Sequence, residues 1–312
     1  MNKPLTNTDP VTINQNSQEN HLVANKLRLC YDEFGDKTHP PIVLIMGLGT
    51  QMIAWSVEFC QGLADSGFRV IRFDNRDIGL SEKIRVKNPV SVMSVFLRSK
   101  VGLPFDVPYT LNDMAADTIG VLDALGITAA HVVGASMGGM ISQIVAAQYP
   151  ERCLSLTSIM STTGNPALPN ANWRVTKQLV SRPTSGSEAE LLEHGLKTWA
   201  IIGSPDFPPS KEELTEKILA SMRRSSYPAG FRNQMAAIAH SGDRRSILSN
   251  ITAPTLIIHG KADVLVPAEG GIDTAKHIKG SKLRLLEGMG HDIPKELRPR
   301  IIRMIAEHAS QA

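Results

Sequence analysis

Ser136 stands in Gly134-Ala135-Ser136-Met137-Gly138, and its surroundings are the first in the chain to suggest covalent chemistry. With 24 glycines in 312 residues, Gly-x-Ser-x-Gly arises by chance about 0.1 times, so the pattern alone is weak. Context strengthens it. The apolar run His131-Val132-Val133 precedes it and a helical pattern opens at Gly138, the strand–turn–helix setting of a nucleophile elbow. Such a turn is sharp, and Gly134 and Gly138 let the strand and helix backbones approach without side-chain collision. A serine hydroxyl is a poor nucleophile at neutral pH and needs a base in hydrogen-bond reach. Among nine histidines, His291 lies in Gly288-Met289-Gly290-His291-Asp292, a glycine-flanked loop directly after the last strand-like run. Asp263, in His259-Gly260-Lys261-Ala262-Asp263-Val264-Leu265-Val266-Pro267, follows another strand end and suits the third role, fixing the imidazole tautomer. Its other reading is a helix-capping aspartate before Pro267. Asp292 competes with Asp263, although a side chain next to the base in sequence rarely points to its ring. An oxyanion would need preorganised donors: the Met137 N–H after the serine, and the Leu48 N–H of Gly47-Leu48-Gly49-Thr50-Gln51. The expected chemistry is acyl transfer, with no metal or organic cofactor.

Those residues need a scaffold that delivers several loops to one place. Short β-branched runs alternate with longer helical patterns, which predicts an α/β fold with a mostly parallel sheet covered by helices. Pro41–Met46, Val70–Phe73, His131–Val133, Leu154–Met160, Thr255–Ile258 and Leu283–Leu286 read as strands, and the region around Leu27–Tyr31 as an antiparallel edge. Leu111–Leu125 reads as a helix with Asn112 available as a cap and Gly126 as a stop; Gly138–Tyr149 and Pro294–Ala309 read as two more. From Thr162 to about Ser249 no strand is convincing. Amphipathic stretches at Ala189–Ile202, Lys211–Arg224 and Gly230–His240 predict an inserted helical cap over the C-terminal sheet edge, where open α/β folds bind ligands. The expected division is a disordered leader over 1–20, core over 21–161, cap over 162–249 and core again over 250–312.

Composition excludes several classes. Lys plus Arg is 33 against 30 Asp plus Glu, a net +3 with no basic block, so no nucleic-acid footprint is expected. Cys30, Cys60 and Cys153 are odd in number and lack metal-ligand spacing, which suits reduced, packed thiols. The first residues carry no apolar run of secretory type, and no window approaches the roughly 18 apolar residues of a membrane span. A cytoplasmic protein, monomer or homodimer, is the expectation.

Taken together the motifs resemble the α/β-hydrolase fold family, from about Leu22 to Ile305. Ile45-Met46-Gly47, Ala54-Trp55, Glu58-Phe59, Leu63-Ala64-Asp65 and Arg72-Phe73-Asp74-Asn75-Arg76-Asp77 are similar to its aclacinomycin-methylesterase branch. The resemblance implies Ser136, Asp263 and His291 as nucleophile, acid and base, in the family's chain order, and Leu48 and Met137 as oxyanion donors. It implies a small-molecule ester as substrate. Most of the wider family has His-Gly where this chain has Met46-Gly47, which removes a polar tether from the oxyanion loop. Asp74–Ser81 resembles a loop that braces the active-site floor. Trp173, Trp199, Phe207, Tyr227, Phe231 and the stretch Val90–Val101 are candidates for an acyl or alkyl pocket, with core packing as their ordinary role.

The leading expectation is therefore a carboxylic ester hydrolase working through an acyl-enzyme. The same triad also serves carbon–carbon bond hydrolysis of ring-opened diketones and perhydrolysis. Dehalogenase and epoxide-hydrolase chemistry is disfavoured, since those relatives carry Asp at the position of Ser136. A ligand-binding homologue that lost its chemistry is the reading from another class, and this chain has lost none of the three residues.

Overall fold

A computed structural model describes residues 19–87, 91, 94–95, 98, 103, 105–181 and 186–312. Eight strands form one sheet in the order β1-β2-β4-β3-β5-β6-β7-β8. They are β1 (Asn20–Ala24), β2 (Leu27–Phe34), β3 (Pro41–Ile45), β4 (Arg69–Phe73), β5 (Ala130–Ala135), β6 (Cys153–Ile159), β7 (Thr255–Gly260) and β8 (Lys282–Leu286). β1 and β2 pair antiparallel, β2 joins β4 antiparallel, and β4 through β8 are parallel. The expected antiparallel edge and parallel body are both present.

The strands are accompanied by α-helices α1 (Val57–Asp65), α2 (Leu111–Ala124), α3 (Met137–Gln148), α4 (Trp173–Val180), α5 (Glu188–Ile202), α6 (Lys211–Arg224), α7 (Pro228–Ser241), α8 (Arg245–Leu248), α9 (Glu269–His277) and α10 (Arg298–Ala309). The central strands are apolar at successive positions because both sheet faces are covered. Val43, Ile45 and Val132 join a core with Leu111, Met114, Leu122, Ile141 and Ile144 of α2 and α3. Ile42, Leu44 and Val133 face the other way, onto Phe59 and Leu63 of α1 and Ile301 and Ile305 of α10. The alternation is the two-residue strand period at work.

Some element ends differ from the sequence reading. α2 is capped by Thr110, not Asn112: the Thr110 hydroxyl accepts from the Asp113 N–H at 3.2 Å, and the Asp113 carboxylate accepts from the Thr110 N–H at 2.7 Å. That reciprocal box satisfies two end amides, whereas Asn112 lies inside the first turn. α10 starts at Arg298 because Pro294–Leu297 form a turn, with Pro294 O accepting from the Leu297 and Arg298 N–H groups. Of the expected leader, 1–18 lie outside the described residues, while Asn20 opens β1 and Glu19 pairs with Arg224 at 2.7 Å. Cys30, Cys60 and Cys153 are buried free thiols.

Strand order decides where the loops meet. β4 lies on one side of β3 and β5 on the other, so the connections leaving β3 and β5 diverge at the C-terminal sheet edge. This switch point is where an open parallel sheet leaves a crevice. The Gly47–Gln51 loop follows β3, the Ser136 turn follows β5, Asp263 follows β7 and His291 follows β8. Helices α4 to α8 all fall between β6 and β7. No helix among the described residues is long and apolar enough to cross a membrane.

Candidate active site

β5 runs straight into α3 with Ser136 as the single residue between them, at φ 56° and ψ −120°. A non-glycine residue there stores backbone strain of roughly 1–3 kcal/mol, which the surroundings must hold. They do so at both ends of the residue. The Ser136 N–H donates to Ile159 O at 2.9 Å, and Ser136 O accepts from the Ser161 hydroxyl at 2.8 Å and the Met140 N–H at 3.2 Å. A Cβ on Gly134 would collide with Gly138 O and the Ser142 hydroxyl, and one on Gly138 with Ile45 O. Both positions need glycine because strand, turn and helix touch through backbone.

His291 Nε2 lies 3.0 Å from Ser136 Oγ, and His291 Nδ1 lies 2.7 Å from Asp263 Oδ2. Asp263 and His291 are both buried. Burial opposes the charge on Asp263, but His291, a hydrogen bond from His259 and the Val266 N–H outweigh it and hold the carboxyl down at about 2. An ionised Asp263 must accept from Nδ1–H, which leaves the Nε2 lone pair facing the serine hydroxyl. Asp263 Oδ1 accepts from the Leu265 and Val266 N–H groups at 2.9 Å each, so the carboxylate cannot swing.

The loops bearing Asp263 and His291 are tied together. Lys261 N–H donates to Leu286 O at 2.9 Å and Ala262 N–H to Met289 O at 3.0 Å. The end of α5 holds the other side of the histidine loop: His291 N–H donates to Ile202 O at 2.7 Å, and Gly290 N–H to the Ser204 hydroxyl at 2.9 Å. Ser204 in turn donates to Asp292 Oδ1 at 2.5 Å. That contact engages the carboxylate of Asp292, while the carboxylate on the His291 imidazole is that of Asp263.

The Gly47–Gln51 loop arches over the serine. A Cβ on Gly47 would stand 3.1 Å from Ser136 Cβ and 3.2 Å from Ala135 O, so this loop packs closely on the serine turn. Among the described residues no acceptor is bonded to the Leu48 or Met137 N–H. Asn75 Nδ2 donates to Met46 O at 2.8 Å, and the Met52 N–H donates to the buried Asp74 carboxylate at 2.7 Å. The loop after β4 thus supports this arch from below. Gln234 of α7, fully buried, accepts from the Gly49 N–H at 2.8 Å and donates to Arg76 O at 3.0 Å.

Other groups were not assigned from sequence. His259 Nε2 lies 2.8 Å from Val266 O and 3.5 Å from Asp263 Oδ2, so it donates and braces the acid. Its signal was present one residue before the end of β7, four before Asp263. Gln234 and Ser204 had none, since their partners lie 185 and 86 residues away. Of the aromatic candidates, the Phe231 ring covers Gly49, where a Cβ would stand 2.6 Å from it. Tyr227 donates to Ile84 O at 3.3 Å, Phe207 packs on the α1/α10 core and Trp199 lies 5.6 Å from the Lys217 ammonium. The Trp173 side chain and most of Val90–Val101 lie outside the described residues.

Comparison with known proteins agrees with this architecture. Residues 40–187 match the family model described as alpha/beta hydrolase fold. A rhodomycin D methylesterase of Streptomyces sp. (strain C5) is 26% identical over 93% of this chain and 98% of its own. A 2-hydroxy-6-oxononadienedioate/2-hydroxy-6-oxononatrienedioate hydrolase of Burkholderia vietnamiensis is 29% identical, over 91% of each chain. Among solved structures, an enol-lactonase from Burkholderia xenovorans LB400 superposes with a TM-score of 0.72 at 21% identity, covering 93% of this chain and 100% of that one. By strand order, by the match over residues 40–187 and by superposition on solved structures, this chain has the alpha/beta hydrolase fold.

Proposed function

We propose that this protein is a carboxylic ester hydrolase in which Ser136, His291 and Asp263 form a catalytic triad acting through an acyl-enzyme. One observation carries the reading: the unbroken relay from Asp263 Oδ2 through His291 to Ser136 Oγ, at 2.7 and 3.0 Å, on a serine held in a strained turn. His291 Nε2 takes the hydroxyl proton as Oγ attacks the ester carbonyl carbon. The Leu48 and Met137 N–H groups receive the oxyanion. Collapse breaks the carbonyl–alkoxy bond, and the imidazolium returns its proton to the departing alcohol. Water, deprotonated by the same nitrogen, then releases the acid. Ionised Asp263 stabilises the imidazolium in both halves. Helices α4 to α8 serve as the cap that encloses a small-molecule ester, and the methylesterase relative makes a methyl ester of a bulky acyl group the leading candidate.

Ser136→Ala is expected to lower turnover of p-nitrophenyl acetate and butyrate by about 10³–10⁶-fold. Comparable hydrolysis by wild type and variant rejects the proposal. The Burkholderia vietnamiensis relative favours a second reading, hydrolysis of a carbon–carbon bond in a vinylogous diketone by the same serine. A panel pairing simple esters with such a diketone separates the two by relative kcat/KM.

A further inference from the structure

Resting on the ester-hydrolase reading, we infer that Gln234, in the helices inserted between β6 and β7, is a positioning residue that sets the oxyanion loop. The loop Gly47–Gln51 is otherwise short of tethers near its donor. Asn75 holds Met46 O at one end and Asp74 holds the Met52 N–H at the other, and Leu48 lies between them. At this midpoint Gly49 has φ +66°, a backbone region without intrinsic preference for one geometry in glycine. The peptide joining Leu48 to Gly49 is held from outside the loop, by Gln234 Oε1 on the Gly49 N–H at 2.8 Å. Thr50 adds bonds within the turn, its hydroxyl to Leu48 O at 3.1 Å and its N–H to Gly47 O at 3.3 Å.

The amide of Gln234 cannot turn over. Its Nε2 donates to Arg76 O at 3.0 Å, and a flipped amide would face a donor with a donor and an acceptor with an acceptor. Arg76 is itself fixed, its guanidinium gripping Asp117 of α2 through two contacts of 2.6 Å. Gln234 therefore transmits the position of the rigid β4 loop to the 48–49 peptide plane. Neighbouring residues of α7 complete the seat. Asn233 donates to Asp77 Oδ2 at 2.9 Å, a Cβ on Gly230 would stand 2.7 Å from Asp77 Cβ, and the Phe231 ring lies on Gly49. One turn of α7 thus fastens the Gly47–Gln51 loop to the loop after β4. An inserted helix, apart from any role over substrate, is part of the apparatus that aims the Leu48 N–H.

Gln234→Leu removes both bonds at nearly constant volume, and Gln234→Glu, as the neutral carboxyl that this fully buried position favours, keeps an acceptor for the Gly49 N–H and a donor for Arg76 O. The expected result is that kcat for p-nitrophenyl acetate falls about 10–100-fold in the leucine variant, with KM changed less than about threefold. The rate at which an alkyl fluorophosphonate labels Ser136 should fall in parallel, since its phosphoryl oxygen uses the same donors. The glutamate variant should recover most of the loss. Rates are taken per active site, by titrating folded protein, so that misfolding does not count as slow chemistry. Folded Gln234→Leu with wild-type kcat and labelling rate overturns the inference, as does a glutamate variant no better than leucine. If wild type is labelled but hydrolyses no ester, the ester reading fails while the labelling ratio still decides Gln234. If wild type does neither, both fall.

Discussion

Asp263 accepts four N–H groups, from Leu265, Val266, His291 and, at longer range, His259. This arrangement makes it a fixed anion instead of a mobile proton carrier. Replacing it with Asn would present an amide N–H or a neutral oxygen to His291 Nδ1. The first case turns the imidazole to the wrong tautomer, with its proton on the nitrogen facing Ser136. Asp263→Asn is therefore expected to lower kcat by about 10⁴-fold with little change in KM, measured with the same nitrophenyl esters. A loss below about tenfold would mean that another carboxylate supports the base. Asp292 is the nearest in sequence, and its engagement by Ser204 argues against it.

The inserted helices are fastened to the sheet by polar contacts as well as by packing. Arg224, in the last turn of α6, reaches the fully buried Asp74 at 2.7 Å and also bonds Gln51 at 2.7 Å. Burial raises the Asp74 carboxyl above its ordinary range despite Arg224 and the Met52 and Leu80 N–H groups, so this charge depends on its partners. Gln51 donates further to Ser221 O and Ser225 O at 2.7 and 2.9 Å. Arg224→Met keeps the aliphatic stem but strands a buried carboxylate. It is expected to cost about 3–5 kcal/mol in urea unfolding. A cost under about 1 kcal/mol would place the pair among solvated contacts.

For the molecule as a whole, acid sensitivity should come from histidines remote from the site. His131 on β5 is buried, with Nδ1 2.9 Å from Ser155 Oγ and its ring edge-on to Phe68. Burial, with a smaller push from His308, drops it to about 4. His308 is lowered too, mainly by burial. An unfolded chain takes up these protons first, so the contribution is complete above pH about 6.5 and is lost as pH falls toward 4. For His131 alone the loss is on the order of 3 kcal/mol. Asp263, held at about 2, contributes only to losses at still lower pH, below its ordinary range. Stability in urea should therefore decline between pH 7.5 and 5 in wild type and decline less in His131→Gln; equal slopes would exclude His131 as the source.

Much of this protein is local in sequence, and that part was legible. Each of Ser136, Asp263 and His291 follows its own strand, and the glycines at 134 and 138 announce a turn whose backbone leaves no room for a Cβ. Parallel strands need apolar runs on both faces, so the sheet could be read from β-branched segments alone. The cap of α2 was misread because Thr110 and Asn112 are both good capping types, and the choice was made by the Asp113 carboxylate reaching back. The grip of α5, α6 and α7 on the histidine and oxyanion loops left no mark in composition or period. Gln234 resembles any other buried helical amide until the tertiary fold places the Gly49 N–H and Arg76 O beside it. Residue types along the chain thus determined which groups are proposed to do chemistry, because a nucleophile, base and acid each carry a local signature. What holds those groups at bonding distance was decided by packing between segments far apart in sequence, where a contact depends on both partners arriving together.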